Sequence, residues 1–393
     1  MEFITQKNQK AFIFFILILI AILGGTFFIL PKIVDHKVNS LFPRPSRLED
    51  TVVPEIHKNL FIADLHADTL LWDRPLLETS SWGHVDLPRL QKGHVALQAF
   101  SVVTQTPLFP NVKKNAKSDV GTFTLSVTQR WPVKTWTDLS ERALYQSSKL
   151  KQAVAGSKGQ LRLILNHQDL MKFREDWQRH PELVAAWLTM EGAQAMQGDL
   201  SFLEKLYEEG FRMISPAHLF DNEWSGSQSG LEKYGLTSIG KKWVLEMNRK
   251  KMIIDLAHLS PKAFDEVLDL STQPVLVSHT GVQAVCAIPR NLSDAQIKKV
   301  AGHGGLIGIG LWKEVLCGED LSLVVKSIRH VCDIVGCRYV AIGSDWDGFV
   351  STATDAEHIG WLTAALVRDG FNEHEIQGIM GENVFRFLLE NLP

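Results

Sequence analysis

From residue 57 onward the chain alternates short, nearly unbroken apolar runs rich in β-branched residues with stretches long enough to hold a helix. The runs fall at residues 60–64, 95–102, 183–190, 212–215, 252–256, 275–277, 306–310 and 339–343. A strand that is apolar at every position, not at alternate ones, is covered on both faces, as in parallel α/β sheets. Eight such runs with helices between them predict an α/β fold, a closed (β/α)8 TIM barrel; a doubly wound open sheet is the structural rival. Residues 161–165 (LRLIL) read as a ninth strand or a small ribbon outside the barrel. Residues 104–140 mix Pro, Asn, Lys and aromatic residues without a clear period, which reads as an insertion over one barrel end.

A different pattern precedes the barrel. Residues 11–30, AFIFFILILIAILGGTFFIL, are 20 positions without a charge, the length that a bilayer core requires of a helix. This predicts one transmembrane anchor; a buried core helix and a cleaved signal peptide are the rivals, the latter opposed by the long apolar run and the lack of a small-residue cleavage site. Lys7 and Lys10 precede the span, while Lys32, Lys37, Arg44 and Arg47 follow it, so flanking charge does not favour export of the body. Large domains translocate regardless of such charges, and the body is expected on the extracytoplasmic side of a single-pass protein. Pro31, Pro43, Pro45 and Pro54 among scattered charges predict an extended tether. The expected organisation is a tail (1–10), an anchor (11–30), a linker (31–56) and a barrel domain (57–393).

A net charge of −3 removes nucleic acid from consideration, since phosphate-backbone binding demands a basic excess. The four cysteines, Cys286, Cys317, Cys332 and Cys337, form no C-x-x-C pair, which argues against a thiolate zinc site. Cys332 and Cys337 are near enough in sequence to bridge, and buried free thiols are the alternative. Whether the chain forms a homodimer is left open.

Polar residues appear where the apolar runs end, and in parallel barrels the C-terminal strand ends are where sites are built. His66 and Asp68 close the first run with a spacing that turns both to one side of an extended chain, against the reading of a plain strand-end turn. Glu191 follows AAWLTM, where a carboxylate must be solvated, paired or metal-bound; a helix-start carboxylate is the alternative. His258 in MIIDLAHLS and His279 in PVLVSHTG follow two consecutive strands and suit a second metal. Asp345 and Asp347 end the eighth run in GSDWDG, Asp347 being assigned mainly to capping the next helix. His218 after FRMISPA can polarise a carbonyl, and Arg290 in IPRNLSD can bind a carboxylate bidentately, unless either stabilises a loop.

Taken in order, DLHAD, MEGAQAM, SPAHLFDNEW, DLAHLS, VSHTGV, PRNLSD, GSDWDG and GENVFRF resemble the membrane dipeptidase (renal dipeptidase) family of zinc peptidases, across residues 62–387. The resemblance implies two Zn2+ per chain: His66 and Asp68 on one, His258 and His279 on the other, Glu191 bridging. It implies hydrolysis of dipeptides by a metal-bridging water, with His218 at the scissile carbonyl, Arg290 on the substrate carboxylate and Asp345 in proton transfer and substrate positioning. Trp312 stands near the family's substrate-side tyrosine, and 104–140 has no recognised counterpart. The competing readings are another binuclear amidohydrolase acting on a lactone, cyclic amide or phosphoester, and an inactive membrane-tethered binding protein. The first is disfavoured because no lysine ends an early strand, and the second because every expected ligand is present.

Overall fold

Runs that are apolar at every position have nowhere to face but protein, and eight of them pair edge to edge in this computed structural model, which describes residues 2–42 and 52–393. The strands are β1 (Ile62–Ala67), β2 (Val95–Val103), β3 (Val184–Glu191), β4 (Met213–Ile214), β5 (Ile253–Ile254), β6 (Leu276–Thr280), β7 (Leu306–Ile309) and β8 (Val340–Ile342). Each lies parallel to its neighbour in chain order. The eighth returns to the first through Ile342 opposite Asp64. Between β5 and β6 the ring is joined by a single parallel bridge, Asp255 opposite Leu276, with the Leu256 amide donating to the Leu276 carbonyl at 2.8 Å. This return of β8 to β1 is what an open doubly wound sheet lacks. Leu161–Leu163 pairs with the beginning of β3 off the barrel path, as the ribbon reading has it.

Alternate strand residues divide between two apolar layers. Leu65, Leu97, Trp187, Met213, Ile253 and Leu306 belong to one cluster, together with Phe387 and Leu388 of the last helix. Ile62, Leu188, Ile214, Val277, Ile307 and Ile342 belong to the layer shared with the surrounding helices.

The N-terminal helix departs from the expected tether. It spans Glu2–Val38 and runs through Pro31, and Ser40–Leu41 then pairs in parallel with Ser351–Thr352. Val34 and Val38 pack beside Leu71, Trp72 and Trp131, and this tertiary packing keeps a proline-containing segment helical where composition suggested extended chain. Prolines 43 and 45 lie outside the described residues. The side chains of residues 2–8, 10, 19–23, 26 and 28 also lie outside them, and among the described residues no helix is long and apolar enough to cross a membrane.

The 104–140 stretch contains a helix, Val120–Thr128. It is tied to the loop after β4: the Asn115 amide donates to the Ser229 carbonyl at 2.7 Å, and the Ser229 hydroxyl donates to the Val112 carbonyl at 3.0 Å. All four cysteines are bridged, Cys286 to Cys317 and Cys332 to Cys337, so the free-thiol alternative does not hold.

Candidate metal centre

The barrel sets its chemistry-bearing residues at one end. His66 lies near the end of β1, where the ladder to β2 shifts register between Asp64 and Ala67; such irregularities re-aim side chains. Asp68 has already left the strand, with φ −95° and ψ 27°. Glu191 is the last residue of β3 and His279 lies inside β6, while His218, His258 and Asp345 follow β4, β5 and β8. Arg290 comes from the loop after β6. All eight of these side-chain-bearing positions are buried.

The carboxylate of Glu191 lies at the middle of the cluster. Its Oε1 is 2.7 Å from Nε2 of His258 and 3.2 Å from Nε2 of His279. Its Oε2 is 3.1 Å from Nε2 of His218 and 3.8 Å from Nε2 of His66. His66 Nε2 lies 3.4 Å from Asp68 Oδ1 and 3.9 Å from Asp345 Oδ1. Three overlapping trios, His66–Glu191–His279, Glu191–His218–His258 and His66–Asp68–Asp345, each bring their ligand atoms within 4.8 Å of one another. The five expected ligands therefore lie together with His218 and Asp345, though the trios cut across the division into two sets that the resemblance implies.

These residues fit metal ions on three grounds. Both ring nitrogens of His66, Asp68 Oδ1 and Glu191 Oε1 are buried without a hydrogen-bonded partner, a costly arrangement unless something else satisfies them. Atoms sharing a four-coordinate zinc at about 2.0–2.2 Å stand roughly 3.3–3.6 Å apart, close to the His66–Asp68 and His279–Glu191 spacings of 3.4 and 3.2 Å. Imidazole and carboxylate are also the donor set that divalent zinc takes.

Electrostatics point the same way. Burial opposes charge on His66, yet Asp68, Glu191 and Asp345 around it drive its pKa up to about 10. Burial raises Asp68 to about 6 and Asp345 well above the usual carboxylate range, the latter also because Asp68 and Glu191 crowd it. Burial, with Arg290 beside it, lowers His258 to about 3, and burial with His66 and Arg290 lowers His279 strongly. Three carboxylates thus compete for one imidazolium while two imidazoles are held neutral, and a neutral imidazole is the form that binds metal.

The chain is similar to known proteins over most of its length. The model of the membrane dipeptidase family (peptidase family M19) matches residues 51–391. The chain belongs to the membrane dipeptidase family. Dipeptidase aclJ of Aspergillus oryzae is 26% identical over 348 residues, 83% of this chain and 77% of that protein. The crystal structure of dipeptidase AC, a metallopeptidase of family M19, is 26% identical with a TM-score of 0.69, covering 85% of this chain and 98% of that one. A metallopeptidase of Rhodobacter sphaeroides, solved with a phosphinate mimic of L-Ala-D-Ala, shares the fold at a TM-score of 0.72 and 24% identity, over 85% of this chain and 99% of that one. With this family and this cluster of potential ligands, the protein is a metal-dependent dipeptidase.

The dipeptidase's candidate ligands are held by residues that sequence reading passed over. The Ser278 hydroxyl donates to Asp255 Oδ2 at 2.6 Å and lies 2.8 Å from His279 Nδ1. With the hydroxyl proton given to Asp255, His279 must donate from Nδ1, which leaves Nε2 bare toward Glu191; such outer contacts fix the ligating tautomer. Asp64 plays a related part, accepting from the Ser344 amide at 2.7 Å and from Gln98 Nε2 at 2.6 Å. The available signal was a charged residue inside an otherwise apolar strand, FIAD and MIID, where an unpartnered carboxylate is too costly.

Arg290 Nη2 donates to the His279 carbonyl at 2.8 Å and approaches His258 Nε2 at 3.1 Å, and its guanidinium lies 5.7 Å from the Trp312 ring. Trp312, 5.6 Å from the His279 ring, thus lines the site. A cavity of about 340 Å³ opens beside His258 and Arg290, walled by Leu256, Phe264, Ile288 and Pro289 among others.

Asp347 corrects the helix-cap assignment. Its carboxylate accepts from the Thr69 hydroxyl at 2.8 Å and the His84 amide at 2.7 Å, and Arg74 pairs with it at 2.7 Å. It is a buried hub and caps no helix. Asp345, Asp347 and Phe349 all adopt positive φ, 61°, 63° and 67°, a conformation costing a non-glycine residue about 1 kcal/mol or more and kept only where the surroundings enforce it.

Proposed function

We propose that this dipeptidase cleaves dipeptides with two Zn2+ ions held by His66, Asp68, Glu191, His258 and His279, Glu191 contributing to both. What carries the reading is the Glu191 carboxylate, whose Oε1 faces His258 and His279 and whose Oε2 faces His218 and His66. When bound, such a metal pair activates a water and polarises the carbonyl that the water attacks.

The chain's own groups supply the rest. Asp345, held with a raised proton affinity at the rim of the cluster, takes the proton of the attacking water and hands it to the leaving amine. His218, neutral because burial lowers its pKa, donates from a ring nitrogen to the developing oxyanion. Arg290 holds the substrate carboxylate, so that a longer peptide meets a wall where a dipeptide ends.

We further place the N-terminal helix in a membrane as a single-pass anchor, with the catalytic body on the extracytoplasmic side. This is supported by the uncharged run 11–30, by the exposure of Phe12, Phe14, Phe15 and Leu17 along it, and by the bridging of all four cysteines, which suits an oxidising compartment.

The test is zinc content of the full-length, detergent-solubilised protein, together with turnover of L-Ala-L-Ala, L-Ala-D-Ala and Ala-Ala-Ala before and after chelation. Two zincs per chain and chelator-sensitive, zinc-restored cleavage of the dipeptides but not the tripeptide is the expected result. Two zincs without dipeptide turnover would move the assignment to another amidohydrolase substrate.

A further inference from the structure

We propose that residues 35–42, the root of the N-terminal helix and the short strand after it, are a positioning element of the active site, acting on the loop that carries Asp345. The inference rests on the proton-transfer role read for Asp345 above.

Asp35 is buried, 3% exposed, although it lies on the N-terminal helix and outside the barrel. Its Oδ2 accepts from Arg74 Nε at 2.9 Å and from Trp82 Nε1 at 2.9 Å, and its Oδ1 accepts from Asn39 Nδ2 at 2.8 Å. The other face of the Arg74 guanidinium pairs with Asp347 at 2.7 Å. One arginine therefore joins the anchor helix to a residue two positions from Asp345.

A second connection bypasses Arg74. Asn39 Oδ1 accepts from the Phe349 amide at 2.9 Å, and the Phe42 amide donates to the Thr352 carbonyl at 2.8 Å. A third runs through His84: the Asp347 amide donates to its Nδ1 at 2.9 Å, so the ring proton sits on Nε2 and goes to the Ser40 carbonyl at 3.0 Å. The loop fixed at these points is the one with positive φ at Asp345, Asp347 and Phe349. A strained segment needs its surroundings to over-determine it, and residues 35–42 supply a large part of that surrounding. The anchor's root thus sets where the Asp345 carboxylate stands relative to the metal ligands. Asp35 and Asn39 touch no substrate and act through Arg74, Asp347 and Phe349.

The experiment uses full-length enzyme in detergent micelles, with active sites counted by titration with a phosphinate dipeptide mimic. Dipeptide turnover by the unaltered enzyme is measured first, since its absence would overturn the functional reading and this inference with it. Asp35→Ala and Asn39→Ala are each expected to lower kcat per titrated site roughly tenfold or more, with zinc content intact and KM within about twofold. A purely structural role would instead remove titratable sites and leave kcat per remaining site unchanged. Wild-type kcat per site in both variants overturns the proposal while sparing the dipeptidase reading. Should Asp35→Ala yield no titratable sites, Asn39→Ala, which leaves the Arg74–Asp35 ion pair in place, decides the matter alone.

Discussion

His258 and His279 point Nε2 at Nε2 across 3.0 Å. Arg290 approaches the same His258 nitrogen at 3.1 Å and Glu191 at 2.7 Å. A single ring nitrogen cannot donate to a carboxylate and accept from a guanidinium at once; a cation held there would take up both imidazole lone pairs and the carboxylate charge, leaving Arg290 its bond to the His279 carbonyl. Binding energy spent there stabilises the fold. Removing metal should therefore lower the melting temperature by several degrees, with recovery on adding zinc. On the two-zinc reading proposed above, His258→Ala should lower zinc content from two ions per chain to about one. Calorimetry and elemental analysis measure both, and an unchanged melting curve after complete chelation would contradict a metal-stabilised centre.

The Asp255–Ser278–His279 relay makes a separate prediction. Asp255→Asn keeps shape but gives Ser278 a neutral partner with an ambiguous donor, weakening the preference for a bare His279 Nε2. Loss of such outer contacts costs about 10–100-fold in metal affinity. If the centre holds two zincs as proposed, competition against a chromogenic chelator should show that loss in one of the two, with dipeptide turnover recovering as zinc is raised. Equal affinity in variant and wild type would mean that the relay does not set the tautomer.

The barrel was legible in the chain because strands buried on both faces write unbroken apolar runs: 95–102 was expected and Val95–Val103 is observed. The run at 275–277 underestimated β6, Leu276–Thr280, since polar residues stay in the strand there: His279 faces the cluster, and Ser278 bonds Asp255. That His66, Asp68, Glu191, His258 and His279 would gather at one end of the barrel was readable from their strand-end placement. Their partners were not, because Asp255 pairs with Ser278 and Asp35 with Arg74 across 23 and 39 residues, and no local pattern carries such contacts. The same holds for the helix Val120–Thr128, whose several β-branched residues argue against a helix until tertiary packing supports it.

Arg290 is buried, and burial presses against its charge. A guanidinium held there against desolvation suits a role that begins when an anion arrives, namely the carboxylate of a dipeptide. Arg290→Ala should raise KM for dipeptides roughly 100-fold, as expected for loss of about 3 kcal/mol of charge-assisted hydrogen bonding. Arg290→Lys should recover only part, since one ammonium does not reproduce a fork. Steady-state kinetics on one dipeptide and its C-terminal amide decides this. An amide bound by wild type as tightly as the acid would remove the arginine's assigned role.

Far from the metal cluster, His57 should make stability depend on pH. Its Nδ1 lies 2.9 Å from the Thr363 hydroxyl, and only 5% of the residue is exposed. Burial, helped by the nearby His94, lowers its pKa to about 4, against about 6.5 in the unfolded chain. Between these values the unfolded state carries a proton that the folded state refuses, so stability rises with pH there. The slope contribution is about 1.4 kcal/mol per pH unit, at most about 3 kcal/mol across the window. That contribution is fully present above pH 6.5 and is lost progressively as pH falls toward 4. Denaturant unfolding of metal-free protein at several pH values, compared with His57→Asn, isolates it: the variant's stability should fall less steeply by about one proton over that range. Parallel slopes for the two proteins would mean that His57 is protonated alike in both states.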